Sequence, residues 1–271
     1  MTSTASAPPG RPQATAMALP INWGRRLAYM ALALYAVYAA STLEFTWDRL
    51  ARGLPQGARF LARMWPPNHE PLKLDLMVQG LAESIEIAIL ATFFGILMAL
   101  PLGFLAARNL MPAWVSWAAR SFIALCRSFN AIVVAILFVK AIGFGALAGI
   151  LALIVGAIGF VSKLFAEAIE EVNLKQVEAV RATGATFTGV LIMGVLPQVM
   201  PRFIGFSAYQ LDSNLRNSAL VGLVGGGGIG ATLFTAFQRF DYDFVLSIVL
   251  AIIAVIMAGE ILSGIVRRLF Q

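Results

Sequence analysis

The chain has 271 residues, 59% of them hydrophobic and only 13% charged, and a mean hydropathy of +0.82; this excludes an ordinary soluble domain and points to a protein whose main solvent is membrane lipid. Its net charge of +6 comes with no basic run and no basic patch interleaved with aromatics, so nucleic acid is excluded as a partner and the cations read as markers of membrane topology. Cys126 is the only cysteine and His69 the only histidine, so neither an intrachain disulfide nor a His/Cys metal site can be assembled.

Residues 1–24 are rich in Ala, Pro, Ser and Thr without apolar periodicity and read as a disordered tail. Arg25 and Arg26 then precede an apolar run to residue 43. Small residues around Ala40 would suit a signal-peptide cleavage site, but the run is longer than a usual signal core, and 25–43 reads as an uncleaved membrane anchor. Residues 44–79 form the one long hydrophilic stretch, with Pro55, Pro66, Pro67 and charges of both signs, and are expected as an external loop.

Five more apolar segments follow, at 80–107, 121–141, 144–162, 203–224 and 244–266. Each is near the ~20 residues a helix needs to cross ~30 Å of hydrocarbon, and helices satisfy their own backbone there. The fold class is therefore an all-α integral membrane protein of about six spans, with a transmembrane domain over 80–266 and a short tail at 267–271. Both termini then fall on one side. Arg25, Arg26, Arg108, Arg120, Lys163, Lys175, Arg181, Arg202, Arg267 and Arg268 share it, which makes it the cytoplasmic side.

Within the second span, Glu83 and Glu86 are expected near the helix start as interfacial anions. In the third, Arg127 and Asn130 interrupt apolar sequence. An arginine in hydrocarbon costs about 2.5 kcal/mol or more, so Arg127 either lines a solute pathway or snorkels to the surface. The fourth span carries Gly149, Gly156 and Gly159, a signal for close helix contact.

Residues 163–197 are polar between apolar runs. An amphipathic segment with Glu167, Glu170 and Glu171 on one side is followed by a short helix from Leu174 to Thr183. Gly184 is placed to end it in a left-handed conformation, and helix resumes before Pro197. Glu178-Ala179-Val180, then Gly184, then Gly194-Val195-Leu196-Pro197 resembles the EAA loop of the permease subunits of bacterial ABC importers. Val180 and Gly194 depart from that pattern, the latter where isoleucine is usual. The resemblance implies that Glu178, Ala179, Gly184, Leu196 and Pro197 belong to a loop that docks on a cytoplasmic ATPase.

In the fifth span, Tyr209, Asp212, Ser213, Arg216 and Asn217 recur at steps of three and four and are expected on one helix face. Asp212 and Arg216 can pair along the helix. Such a stripe lines a route for a polar or anionic solute, with Arg127 as a further contributor, or serves as helix-helix glue. Gly225, Gly226, Gly227, Gly228 and Gly230 follow. No Walker lysine or βαβ pattern accompanies them, which excludes a nucleotide site; they let the chain turn back, or let two copies approach, near the outer mouth.

The segment from Glu178 to Gly230 resembles, more narrowly, the phosphonate ABC transporter permease family. That resemblance implies a type I importer permease fold like that of methionine importers, in a bacterial inner membrane. It implies as partners a second permease copy, two ABC ATPase subunits and a periplasmic substrate-binding protein. The chain itself would bind no cofactor and would not be an enzyme; ATP and Mg would be used by the partner ATPase. Phosphonate or a related phosphorus oxyanion would be the solute, with methionine or another small solute as the alternative. A secondary transporter would need coupling carboxylates within a repeat, and an intramembrane serine protease would need a histidine near Ser207, whereas His69 lies outside the apolar segments.

Overall fold

The computed structural model describes residues 23–42 and 47–270. The expectation of disorder for 1–24 falls almost wholly outside them. The chain divides into two units, residues 1–59 and 60–271. In the first, helix α1, Trp23–Thr42, covers most of the apolar run that was expected as an anchor, and Arg25 donates to the Tyr29 hydroxyl at 3.1 Å near its start. Helix α2, Trp47–Met64, begins in the same unit, with an Arg52 to Asp48 ion pair one turn apart.

Helix α2 corrects the expectation of a loop over 44–79. Trp47, Leu50, Leu54 and Leu61 stand at helical spacing with Arg49, Arg52 and Arg59 between them and Arg63 just beyond, the pattern of an amphipathic helix. The rest of that stretch is largely the start of α3, Pro71–Ala106, which begins nine residues before the expected span. Its proline sits in the first turn, where a missing N–H costs nothing. Glu83 and Glu86 therefore lie about three turns or more inside α3 rather than at its start.

The second unit is a helical bundle built on α3 and α6, Ala146–Glu170. Ala91, Gly95, Ala99 and Gly103 recur every four residues on α3, and a Cβ at Gly95 or Gly103 would collide with Ala157 or Phe165 of α6. This small-residue ridge lets the two helices close up, and Ser162 Oγ donates to Ala99 O at 3.2 Å across the contact.

The expected third span is bent. Helix α4, Ala113–Ser128, and α5, Ala131–Ile142, meet at 88°. Asn130 causes the break: its side chain accepts from Ile132 N at 2.9 Å and so caps α5. A short helix α7, Leu174–Ala182, and helix α8, Phe187–Val190, follow α6. A π turn, Leu191–Val195, leads from α8 into the long helix α9, Leu196–Gly222. The short helix α10, Ile229–Gln238, and α11, Tyr242–Phe270, complete the chain. Helix α11 continues through residues expected as a tail at 267–271, as far as Phe270.

Four of the described helices or helix runs are long and apolar enough to cross a membrane, and six if the pairs α1/α2 and α4/α5 each count as one span. The bundle has two ends. At one, the α3–α4 connection is tied to the end of α6: Arg108 N donates to Glu170 Oε1 at 2.7 Å, and Asn109 Nδ2 to Ile169 O at 2.8 Å. At the other, Asn68 Nδ2 before α3 donates to Asp243 Oδ2 in the first turn of α11 at 2.6 Å, and Lys73 in the first turn of α3 pairs with Asp241, just before α11, at 3.7 Å.

Candidate coupling loop and solute cleft

The loop at the α7 end is fused into the bundle core. Val177 of α7, Val190 of α8, Val195 of the π turn and Val199 and Phe203 of α9 are buried in one cluster with Phe165 and Ile169 of α6 and Ala99 of α3. Displacing α7 therefore displaces the roots of α6 and α9, because close-packed interiors transmit strain.

Local chemistry explains its shape. Asn173 caps α7 by accepting from Lys175 N at 3.1 Å. Gly184 ends it with φ +78, a conformation that favours glycine, and its N–H donates to Arg181 O at 3.0 Å. Pro197 lies in the first turn of α9 and Pro201 inside that helix, each removing a backbone donor just after the π turn.

Gln198 is a residue the sequence did not single out. Its Nε2 donates to Gly194 O at 2.6 Å and its Oε1 accepts from Asn173 N at 2.9 Å, so one side chain clips the start of α7 to the start of α9. Arg202 and Glu171, 2.5 Å apart, form a second clip beside it. Glu178, Ala179 and Gly184 are left exposed on the outer face of the loop, and Leu196 is half-buried. Around them Leu174, Phe187, Ile192 and Met193 are exposed apolar side chains.

Val180 and Gly194, the two departures from the loop pattern, face each other. A Cβ built on the buried Gly194 would lie 3.4 Å from Val177 Cα and 3.7 Å from Val180 Cβ and Cγ2. Bulk absent at one position is supplied by the other.

The polar residues of α9 divide over two faces instead of sharing one. Tyr209, Ser213 and Asn217 line a cleft of ≈ 250 Å³ with Gln210 and Asn214, against Phe129, Ala131, Leu153, Gly156 and Phe160. Phe160 and Tyr209 stack at 5.3 Å. Gly156 therefore opens space here, and no atom lies within contact range of a Cβ built on it, contrary to its expected role in helix contact. Among the described residues no charged one lines the cleft.

Asp212 turns instead toward α11 and takes Arg216 as its partner along α9. They pair at 2.6 Å, with Asp212 buried and Arg216 partly exposed. The other carboxylate oxygen, Oδ1, has no hydrogen-bond partner among the described residues and looks toward Gly259 of α11. Arg127 is also absent from the cleft lining. It packs its stem against Gly159 and faces a separate groove between α4 and α6.

Gln210 and Asn214 were not picked out in the sequence, although their four-residue spacing marks a second polar row. Both are buried. Gln210 Nε2 donates to Asn214 Oδ1 at 2.9 Å, Asn214 Nδ2 to Thr92 Oγ1 at 2.9 Å, and Thr92 Oγ1 to Ala88 O at 2.6 Å. The carbonyl of Ala88 can only accept, so the whole chain of donors points from the cleft into α3.

The glycine segment after α9 packs within its own chain. A Cβ at Gly222, Gly226 or Gly230 would collide with its neighbours in the segment or with Val221 and Ala219, and one at Gly149 of α6 would collide with Gly226 O. Gly225, Gly227 and Gly228 take positive φ, which only glycine does freely. Gly145 N donates to Gly225 O at 3.0 Å, and Ile229 N to Ser84 Oγ at 2.8 Å, so the segment ties α3, α6 and α10 together. Glu83 Oε1 lies beside it at Gly227. Among the described residues no group of His, Cys, Asp and Glu is placed to hold a metal ion.

A bundle of apolar helices with a polar loop keyed into its core and an uncharged polar cleft is the architecture of a solute permease. One chain of the MetNI methionine ABC transporter, solved in inward facing conformations, shares this fold. Its TM-score is 0.68 over 75% of this chain and 100% of its own, at 24% identity. Residues 99–271 match the family described as binding-protein-dependent transport system inner membrane component, and the chain belongs to that family. It is 36% identical to the phosphite transport system permease protein PtxC of Stutzerimonas stutzeri over 93% of this chain and 92% of that protein. It is 39% identical to the phosphate-import permease protein PhnE of Mycolicibacterium smegmatis over 82% of this chain, which spans only 41% of that longer relative.

Proposed function

We propose that this permease subunit imports a small phosphorus oxyanion, phosphonate or phosphite, powered by a separate ATPase that docks on the α7–α8 loop. The single observation that carries the mechanism is the shared core of Val177, Val190, Val195 and Phe203 with α6 and α9. A push on Glu178 and Gly184 reaches, through that core, the helix that carries Tyr209, Gln210, Ser213, Asn214 and Asn217. The substrate class rests on likeness to permeases named for phosphite and phosphate over most of this chain. Likeness to the methionine transporter, at 24% identity, speaks for fold alone.

The working unit in this account is a pair of permease chains with two ABC ATPase subunits on the cytoplasmic side and a substrate-binding protein outside, in a bacterial inner membrane. ATP and Mg are used by the ATPase. The α7 end faces the cytoplasm, and the end with Lys73, Asp241 and Arg239 faces the binding protein. A cleft without fixed charge suits a route that must release its solute. Hydroxyls and amides can accompany an oxyanion without trapping it, leaving selection to the binding protein. Asp212 and Arg216 lie outside this route, paired with each other along α9.

The test is uptake by the reconstituted complex with phosphite, methylphosphonate, phosphate and methionine as competing solutes. ATP-dependent uptake of a phosphorus oxyanion is expected; uptake of methionine alone would overturn the substrate assignment.

A further inference from the structure

A groove between α4 and α6 at the α7 end plays no part in the transport route proposed here. Arg120, Arg127 and Lys163 line it together with apolar Ile123, Ala124 and Ala166, enclosing ≈ 160 Å³. Arg120 also lines an adjoining hollow of ≈ 240 Å³ with Arg108 and Trp117. Two of the four cations are balanced: Arg120 by Glu170 at 2.7 Å and Lys163 by Glu167 at 3.4 Å. The side chains of Arg108 and Arg127 make no ion pair among the described residues, so one uncompensated positive charge stands in the groove, at Arg127, and one in the adjoining hollow, at Arg108.

We propose that this groove seats the phosphate headgroup of an anionic phospholipid from the leaflet on the α7 side. Basic pockets between spans at the membrane boundary attract acidic headgroups. The wall of Ile123, Ala124 and Ala166 beside the cations gives an acyl chain its apolar surface, which a small hydrated oxyanion would not use. Trp114 and Trp117, each 74% exposed on α4, are the side chains favoured at headgroup depth. Arg127, deeper along α4, reaches that level by extending its stem.

The site is also wired to the loop. Glu170, which holds Arg120 and accepts from Arg108 N, is the last residue of α6 before the turn into α7. A bound headgroup would brace the root of α7.

The test is lipid retention by the purified full-length permease, read by native mass spectrometry after exchange into detergent with phosphatidylglycerol or phosphatidylcholine. Phosphatidylglycerol is expected to be retained in preference, and Arg108→Gln/Arg127→Gln to weaken that retention about thirtyfold, on the order of fivefold for each cation removed. Arg108→Lys/Arg127→Lys, which keeps the charge, is expected to restore most of it and so controls for folding. Equal retention of the two lipids, or no change in the glutamine variant, would overturn the proposal. Loss of phosphatidylglycerol on adding millimolar methylphosphonate would overturn it as well, because the site would then belong to a free oxyanion.

Discussion

Gly194→Ile places a branched side chain in the contact between the π turn and α7. A Cβ there already reaches ordinary contact distance, 3.4 Å from Val177 Cα and 3.7 Å from Val180, so the three further carbons of isoleucine have no room. Overpacking of this kind costs about 1–3 kcal/mol. Val180→Ala removes two methyl groups from the half-buried facing position and costs about 1 kcal/mol, from ~0.8 kcal/mol for each fully buried methylene discounted for partial exposure. The double variant moves the bulk from one side of the contact to the other. Its cost is expected to fall short of the sum of the single costs by on the order of 1–2 kcal/mol, as neighbours in contact do not add. Apparent melting temperatures of the purified permease at one scan rate measure this, with Gly194→Ile a few degrees low and the double variant recovering. Strictly additive shifts would refute the claim that the two departures from the loop pattern compensate each other.

Three further predictions concern the loop and the cleft. Gly184→Pro cannot take φ +78 and introduces about 1–3 kcal/mol of backbone strain. It and Glu178→Arg are expected to abolish uptake while the protein still inserts in the membrane, and normal uptake in both would remove the docking role. Gln198→Ala breaks two hydrogen bonds worth about 1 kcal/mol each, so exchange of the Asn173 amide should speed up. Gln198→Glu keeps only the acceptor, and exchange should speed up less. Thr92→Val leaves Asn214 Nδ2 without an acceptor, at about 1–3 kcal/mol for a buried donor; uptake is expected to drop while ATPase binding is retained, and loss of both would make the network structural only.

Much of this was legible in the sequence for a physical reason. Apolar runs long enough to span a bilayer have few folds open to them, and the αL position of Gly184 is fixed by backbone sterics that the residue type announces. The misses came where tertiary context decides. Asn130 looked like a polar interruption within a span, and is a cap that turns the chain by 88°. The region of Trp47–Met64 looked like a loop because its charges masked an apolar row at Trp47, Leu50, Leu54 and Leu61.

The polar row on α9 was partly drawn: Tyr209, Ser213 and Asn217 line the cleft, Asp212 and Arg216 do not, and Gln210 and Asn214 were left out. Spacing alone puts Asp212 and Arg216 close to Tyr209, and only the positions of α6 and α11 show which flank meets a cleft and which meets a helix. Gln198 could not have been found from pattern, since its partners Asn173 and Gly194 are brought together by the fold of the loop. Arg127 illustrates the same limit: its apolar surroundings marked it as unusual, and its neighbours across the groove give it a reading.

The central claim is that force enters this chain through the α7–α8 loop. Because Cys126 is the only cysteine, a Cys126→Ser background allows single-cysteine crosslinking in the assembled transporter. Glu178→Cys is expected to crosslink to the partner ATPase subunit, and Arg239→Cys, at the opposite end of the bundle, is not. An ATPase adduct at Arg239→Cys with none at Glu178→Cys would contradict the account.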